Sequence, residues 1–147
     1  MSDIQIPTRA DYFIFQPITT RWMDNDVYGH VNNVTYYSYF DTAVNLYLIE
    51  EGGLDIRNSP VIGYVVNSSC NYRRGIAYPD RLEAGLRVDR LGNSSVQYGV
   101  GIFREGEAEI CAHGQFVHVF VDRATEKSVP IPAKLRAALE RIQTPAP

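Results

Sequence analysis

Tyr36, Phe40, Ala43, Val44, Tyr47 and Leu48 recur at helical spacing, and this one long helical pattern constrains the rest of the chain more than any other feature. Its apolar, aromatic face is broad and has to be covered by something large. Asn32 or Asn33 is placed to cap its start, and Gly52-Gly53 to stop it. A strand pattern with Phe13, Phe15, Ile18 and Trp22 precedes it, broken in register at Pro17, as in an edge or bulged strand. Four long strand patterns follow. Val61 to Tyr72 opens apolar and turns polar at Asn67, Ser68 and Ser69, as a strand does on reaching a groove or an edge. Leu82, Ala84, Leu86 and Val88 alternate with polar or small residues, as in a half-buried strand, and Val96, Tyr98, Val100 and Ile102 alternate again. Ile110 to Val121 returns after the Glu105-Gly106 turn, so the last three strands should form an antiparallel meander. One antiparallel sheet curled around one long helix is the economical assembly, and the fold class is α+β. Met1 to Asp11 reads as a frayed arm and Ala133 to Ile142 as a short closing helix.

Composition narrows the functional classes. With 147 residues, 45% of them hydrophobic, the chain suits a single domain over residues 1–147, its core spanning about 12–135. A net charge of -3 with no basic run speaks against nucleic acid as a partner. No apolar stretch reaches the roughly 18 residues of a membrane span, and residues 1–10 lack the apolar core of a signal peptide, so a cytoplasmic location is expected. Cys70 and Cys111 sit in strand patterns without metal-ligand spacing and read as small buried thiols.

The chemistry concentrates between the first strand and the long helix, in Arg21-Trp22-Met23-Asp24-Asn25-Asp26-Val27-Tyr28-Gly29-His30-Val31-Asn32-Asn33. Two aspartates, a histidine and three asparagines meet where a helix begins and where unpaired N–H donors carry partial positive charge. That combination suits acyl chemistry, which needs an oxygen nucleophile or base beside a donor for a developing oxyanion.

Asp24-x-Asp26-x-x-Gly29-His30-Val31-Asn32-Asn33 with Tyr36, then Tyr78-Pro79-Asp80, the strand Phe116 to Asp122 and Pro130-Ile131-Pro132, resembles hotdog-fold acyl-CoA thioesterases of the 4-hydroxybenzoyl-CoA thioesterase type. The likeness covers about residues 19–135 and is specific as a combination. It implies a hotdog fold, a homodimer whose two sheets join into one, and often a tetramer as a dimer of dimers. It implies hydrolysis of an acyl-CoA with no metal and no cofactor beyond the coenzyme A of the substrate. It also implies Asp26 as the catalytic carboxylate, the backbone N–H of Asn33 as the oxyanion donor, and Gly29 as the residue giving the loop its tight approach.

The remaining polar residues divide between roles. Asp26 can attack the thioester carbonyl or orient a water, while Asp24 reads as a turn or salt-bridge residue. His30 reads as bracing the loop rather than acting as a base. Tyr28 and Tyr36 are placed for a pocket edge, Tyr37 and Tyr39 more for core, and Asp41 either faces the site or is exposed. His113 and His118 are an odd number of positions apart in one strand, face opposite ways and read as structural. Arg73, Arg74 and Arg90 are the candidates for the coenzyme A phosphates. The turn Leu91-Gly92-Asn93-Ser94 lacks the basic residues that some relatives carry there. An acyl-carrier-protein thioesterase, a hotdog dehydratase using His30 and Asp41, and a non-catalytic acyl-CoA binding module are the alternatives.

Overall fold

Elements run in the order β1 (Ile14–Thr19), α1 (Thr35–Glu50), β2 (Val61–Tyr72), β3 (Arg81–Leu91), β4 (Ser95–Arg104), β5 (Ile110–Asp122) and α2 (Ala133–Glu140), in a computed structural model describing residues 5–145. All neighbouring strands are antiparallel, in the order β1-β3-β4-β5-β2. β3, β4 and β5 form the expected meander, and β1 and β2 are the edges. β1 holds Pro17 opposite Glu83, a place open to a residue with no N–H because one side of an edge strand makes no ladder bonds.

The sheet curls around α1. Phe40, Ala43, Val44 and Leu48 have no exposed surface, and they share a cluster with Leu82, Leu86, Tyr98, Val100, Phe116 and Phe120 from β3, β4 and β5. α2 closes one end through Leu135 and Leu139, and the buried side chains continue to Ile142. Tyr47 locks that end by donating its hydroxyl to the Ala138 carbonyl at 2.5 Å. No helix among the described residues is long and apolar enough to cross a membrane.

One expectation holds here and one changes. β3 is half-buried as expected, with Leu82, Ala84, Leu86 and Val88 buried and Glu83, Arg87 and Asp89 only partly covered; Tyr12 covers its outer side at Gly85. The start of the chain is not frayed up to Asp11: residues 1–4 lie outside the described residues, but Arg9–Asp11 forms one tight turn. Arg9 holds it, stacked 4.6 Å over the Phe103 ring and bonded to Glu83 at 2.7 Å. Tyr12, Phe15 and Phe103 meet edge to face beneath it.

The two histidines of β5 do face opposite ways. His118 packs between Phe116 and Phe120 with Nδ1 3.1 Å from the Tyr98 hydroxyl, and burial pushes its pKa down to about 4. His113 accepts a bond on Nε2 from Arg73 at 3.2 Å. Burial pushes both thiols up, Cys70 to about 11, so neither is a thiolate at neutral pH.

Candidate active site

A short turn at Trp22–Asp24 ends β1's exit and buries Asp24. The Asp24 carboxylate accepts from the Arg21 N–H at 2.9 Å and the Tyr39 hydroxyl at 2.7 Å, and pairs with the Arg21 guanidinium at 3.1 Å. Burial pushes its pKa up, but the Tyr39 hydroxyl and Arg21 outweigh burial and hold it below the usual carboxylate range. The Asp24 carbonyl takes the Asn32 N–H at 2.9 Å, so one aspartate ties β1, the loop and α1 together.

Between these anchors residues 26–30 close on themselves. The Asp26 N–H donates to the His30 carbonyl at 2.8 Å and the Gly29 N–H to the Asp26 carbonyl at 3.1 Å. Gly29 has φ +87°, a conformation that glycine adopts without steric cost. The half-buried Asp26 carboxylate spends one oxygen on the Tyr28 N–H at 2.9 Å, and the other has no partner among the described residues.

α1 starts with its donors only partly used. The Asn32 side chain accepts from the Val34 N–H at 3.1 Å in a turn just before the helix, but the capping position is Val34, which makes no side-chain cap bond, so neither Asn32 nor Asn33 is the cap the sequence led one to expect. The Asn33 carbonyl receives the Tyr36 N–H at 3.4 Å and the Tyr72 hydroxyl at 3.1 Å. Its own N–H has no acceptor among the described residues. Asp26, His30, Asn33 and Tyr36 line one hollow of about 390 Å³ with Tyr72, Arg73, Arg74 and Gly75. Burial raises the Tyr36 hydroxyl to about 12 and pushes Tyr72 up as well, so both are neutral donors at physiological pH.

His30 packs its ring against Gly75, where an added Cβ would come within 2.9 Å of Cδ2. The Gly75 carbonyl is itself held by Arg104. Arg73 and Arg74 enter the hollow because both N–H groups donate to the Cys111 carbonyl, at 2.8 and 3.0 Å. Their guanidinium groups reach His113 and Glu109 respectively.

Three of the residues expected at the site do not line this hollow within one chain: Gly29, which shapes the loop turn, Tyr28 and Arg90. Tyr28 is 85% exposed at the loop tip, because the Asp26 carboxylate holds its backbone and leaves the ring outside. Arg90 lies near the far end of β3, opposite Gln97, in a separate hollow with Ser95. Tyr39 is core, as expected, with its hydroxyl on Asp24, and Tyr37 packs edge to face on Phe40. Asp41 is exposed and bonded to Asn45. Tyr72 is the residue that sequence reasoning missed; its place just before Arg73-Arg74, at the polar end of β2, was the available signal.

In chemical terms the hollow joins a carboxylate with a free oxygen to an unpaired backbone donor at a helix start, the two requirements for acyl transfer. Comparison with known proteins agrees with that chemistry. Residues 20–139 match the family model of the Thioesterase-like superfamily. The chain is 29% identical over 126 residues to the long-chain acyl-CoA thioesterase FadM of Escherichia coli, across 85% of this chain and 96% of that protein. Among solved structures it is similar to the PA5185 protein of Pseudomonas aeruginosa, with TM-score 0.94 and 61% identity over 97% of this chain and all of the other. It shares its fold, at TM-score 0.77 and 19% identity, with Slr0204, a 1,4-dihydroxy-2-naphthoyl-CoA thioesterase from Synechocystis, over 85% of this chain and 93% of that one. The chain belongs to the Thioesterase-like superfamily and is a thioester hydrolase with the hotdog fold.

Proposed function

We propose that the thioester cleaved is an acyl-CoA, with Asp26 as the catalytic carboxylate and the Asn33 N–H as the donor to the carbonyl oxygen. The observation that carries this reading is the shared hollow, in which a half-free carboxylate and an unpaired N–H line one space. Two routes use the same groups. Asp26 attacks the carbonyl carbon, expels the coenzyme A thiolate and leaves an anhydride that water cleaves; or it takes a proton from a water that attacks directly, and the thiolate departs carrying the electron pair of the C–S bond. Either way the Asn33 N–H meets the oxyanion. Coenzyme A of the substrate is the only cofactor the scheme draws on.

Arg74, an exposed guanidinium at the rim, is the nearest candidate for the phosphates, with Arg73 beside it. Similarity to FadM supports coenzyme A over a carrier protein as the acyl donor. β2 supports a homodimer: a 12-residue edge strand, exposed from Tyr64 to Ser69, offers its ladder to a second copy. Tyr28 and Arg90 then have a role only across such an interface, and pairing of two dimers into a tetramer is the larger assembly proposed.

The test is thiol release from short, long, branched and aromatic acyl-CoAs, wild type and Asp26→Asn side by side. Loss of an essential base costs about 10²- to 10⁴-fold, so the variant should be almost silent on every substrate the wild type turns over. Retention of about a tenth of the rate would remove Asp26 from the chemistry.

A further inference from the structure

The loop that carries Asp26 leans on a second loop, residues 73–80, which joins β2 to β3 and belongs to neither strand. Contacts tie the two together on both sides of Asp26. The Asn25 side-chain oxygen accepts from the Tyr78 N–H at 2.9 Å, the Val31 N–H donates to the Ile76 carbonyl at 2.7 Å, and His30 packs against Gly75. Upstream, the Thr20 hydroxyl donates to the Asp80 carbonyl at 2.6 Å and Trp22 meets Tyr78 edge to face. The Asp26 N–H and carbonyl bond within their own loop, to His30 and Gly29. The place of Asp26 in the hollow is therefore inherited from the loop it leans on.

β5 fixes the start of residues 73–80 through the Arg73 and Arg74 N–H groups. The stretch from Gly75 to Asp80 is spanned by one side chain, that of Arg104, the last residue of β4. Its guanidinium donates to the Gly75 carbonyl and, at 3.3 Å, to the Asp80 carboxylate. The same carboxylate oxygen accepts the Ala77 N–H at 3.1 Å. A planar fork of donors suits two acceptors held a fixed distance apart, which a single ammonium does not match. Arg104 is half-buried, does not line the hollow, and has Glu107 as a further partner at 3.5 Å.

We propose that Arg104, with Asp80, is a positioning residue for the reaction, setting through residues 75–80 where the Asp26 carboxylate stands relative to the Asn33 N–H. The proposal rests on Asp26 as the catalytic carboxylate. Small displacements of a reacting group are costly in rate, while Arg73 and Arg74, the groups assigned to the coenzyme A phosphates, are unchanged by substitution at Arg104.

The test is thiol release from the acyl-CoA that wild type turns over best, with full-length variants at a temperature where each is folded. In Arg104→Gln, kcat should fall about tenfold or more with KM within about twofold. In Arg104→Ala, about 20 mM ethylguanidinium should restore kcat about fivefold, whereas tetramethylammonium at the same concentration should not, because only the first donates a fork of N–H groups. Asp80→Asn should lower kcat in the same direction and keeps the test alive if the Arg104 variants do not fold. Glu107→Gln, at an exposed partner, should match wild type. Full kcat in Arg104→Gln or in Asp80→Asn, a KM that rises in step with the loss, or equal rescue by the two cations would each overturn the positioning role. Asp26→Asn measured alongside separates the two readings: if it is almost silent while Arg104→Gln is fully active, only the positioning role falls, and if it is active, both fall.

Discussion

The start of α1 and its body belong to one helix yet are built to opposite specifications. In the body, Phe40, Ala43, Val44 and Leu48 are fully buried. At the start, the Asn33 N–H and one oxygen of Asp26 are unpartnered among the described residues, beside an open hollow. Close packing makes the body intolerant of any change in volume. The start is tolerant of volume but depends on where a few polar atoms point. Stability and chemistry are therefore separable along sixteen residues of helix and the loop before it.

The sharpest way to break that separation is Asp26→Asn. Its loss of turnover should come with an unchanged melting temperature, because an asparagine oxygen can still accept from the Tyr28 N–H. A fall of several degrees would show that Asp26 is structural as well. Phe40→Ala is the converse. It should cost about 3–5 kcal/mol in denaturant unfolding through the cavity left behind, while the fraction still folded keeps its kcat/KM. Loss of turnover in that folded fraction would mean that the body also positions the chemistry.

Acid separates the two regions by where stability is lost. His118, in the interior, has its pKa lowered from about 6.5 to about 4, so the unfolded chain takes up its proton first. Stability falls by about 3 kcal/mol as pH drops from 6.5 to 4. Asp24, in the loop, has its pKa lowered; its contribution is complete above the unfolded value near pH 4 and is lost below that, as pH falls through the folded value. Unfolding curves of His118→Gln and Asp24→Asn against pH should each flatten in their own window. Flattening in the same window would show that the interior and the loop unfold as one acid-sensitive unit.

Smaller effects probe the start of the helix alone. Tyr72→Phe removes the hydroxyl bonded to the Asn33 carbonyl, and the loss of a net contribution of about 1 kcal/mol should slow turnover roughly five-fold with KM little changed. Asn33→Ala keeps the N–H and should do least, within about twofold of wild type in kcat/KM. A larger effect for Asn33→Ala than for Tyr72→Phe would transfer the role from the main chain to the side chain.

The helix body was legible in the sequence because periodicity reports a buried stripe directly, and the meander because Val96 to Ile102 alternates so regularly. The polar loop was legible as a cluster, since Asp24 to Asn33 are neighbours in the chain. What periodicity cannot encode is the contact between distant segments. Tyr72 lies 39 positions from Asn33, and Arg9 lies 74 from Glu83. Neither segment announces its partner. Arg90 misled for a related reason, since a residue type suited to phosphate says nothing about which end of an 11-residue strand it occupies. Gly75 carried no signal either, because the reason for its missing side chain is the His30 ring packed against it.

Tyr72, the last residue of an edge strand, is bonded to the carbonyl of Asn33, the residue whose N–H is proposed to meet the substrate. If a second copy completes that edge, protein concentration becomes a control on the site. Specific activity would then fall on dilution while the helix content of each chain stayed constant, and the oxyanion donor would respond to mass action as well as to mutation.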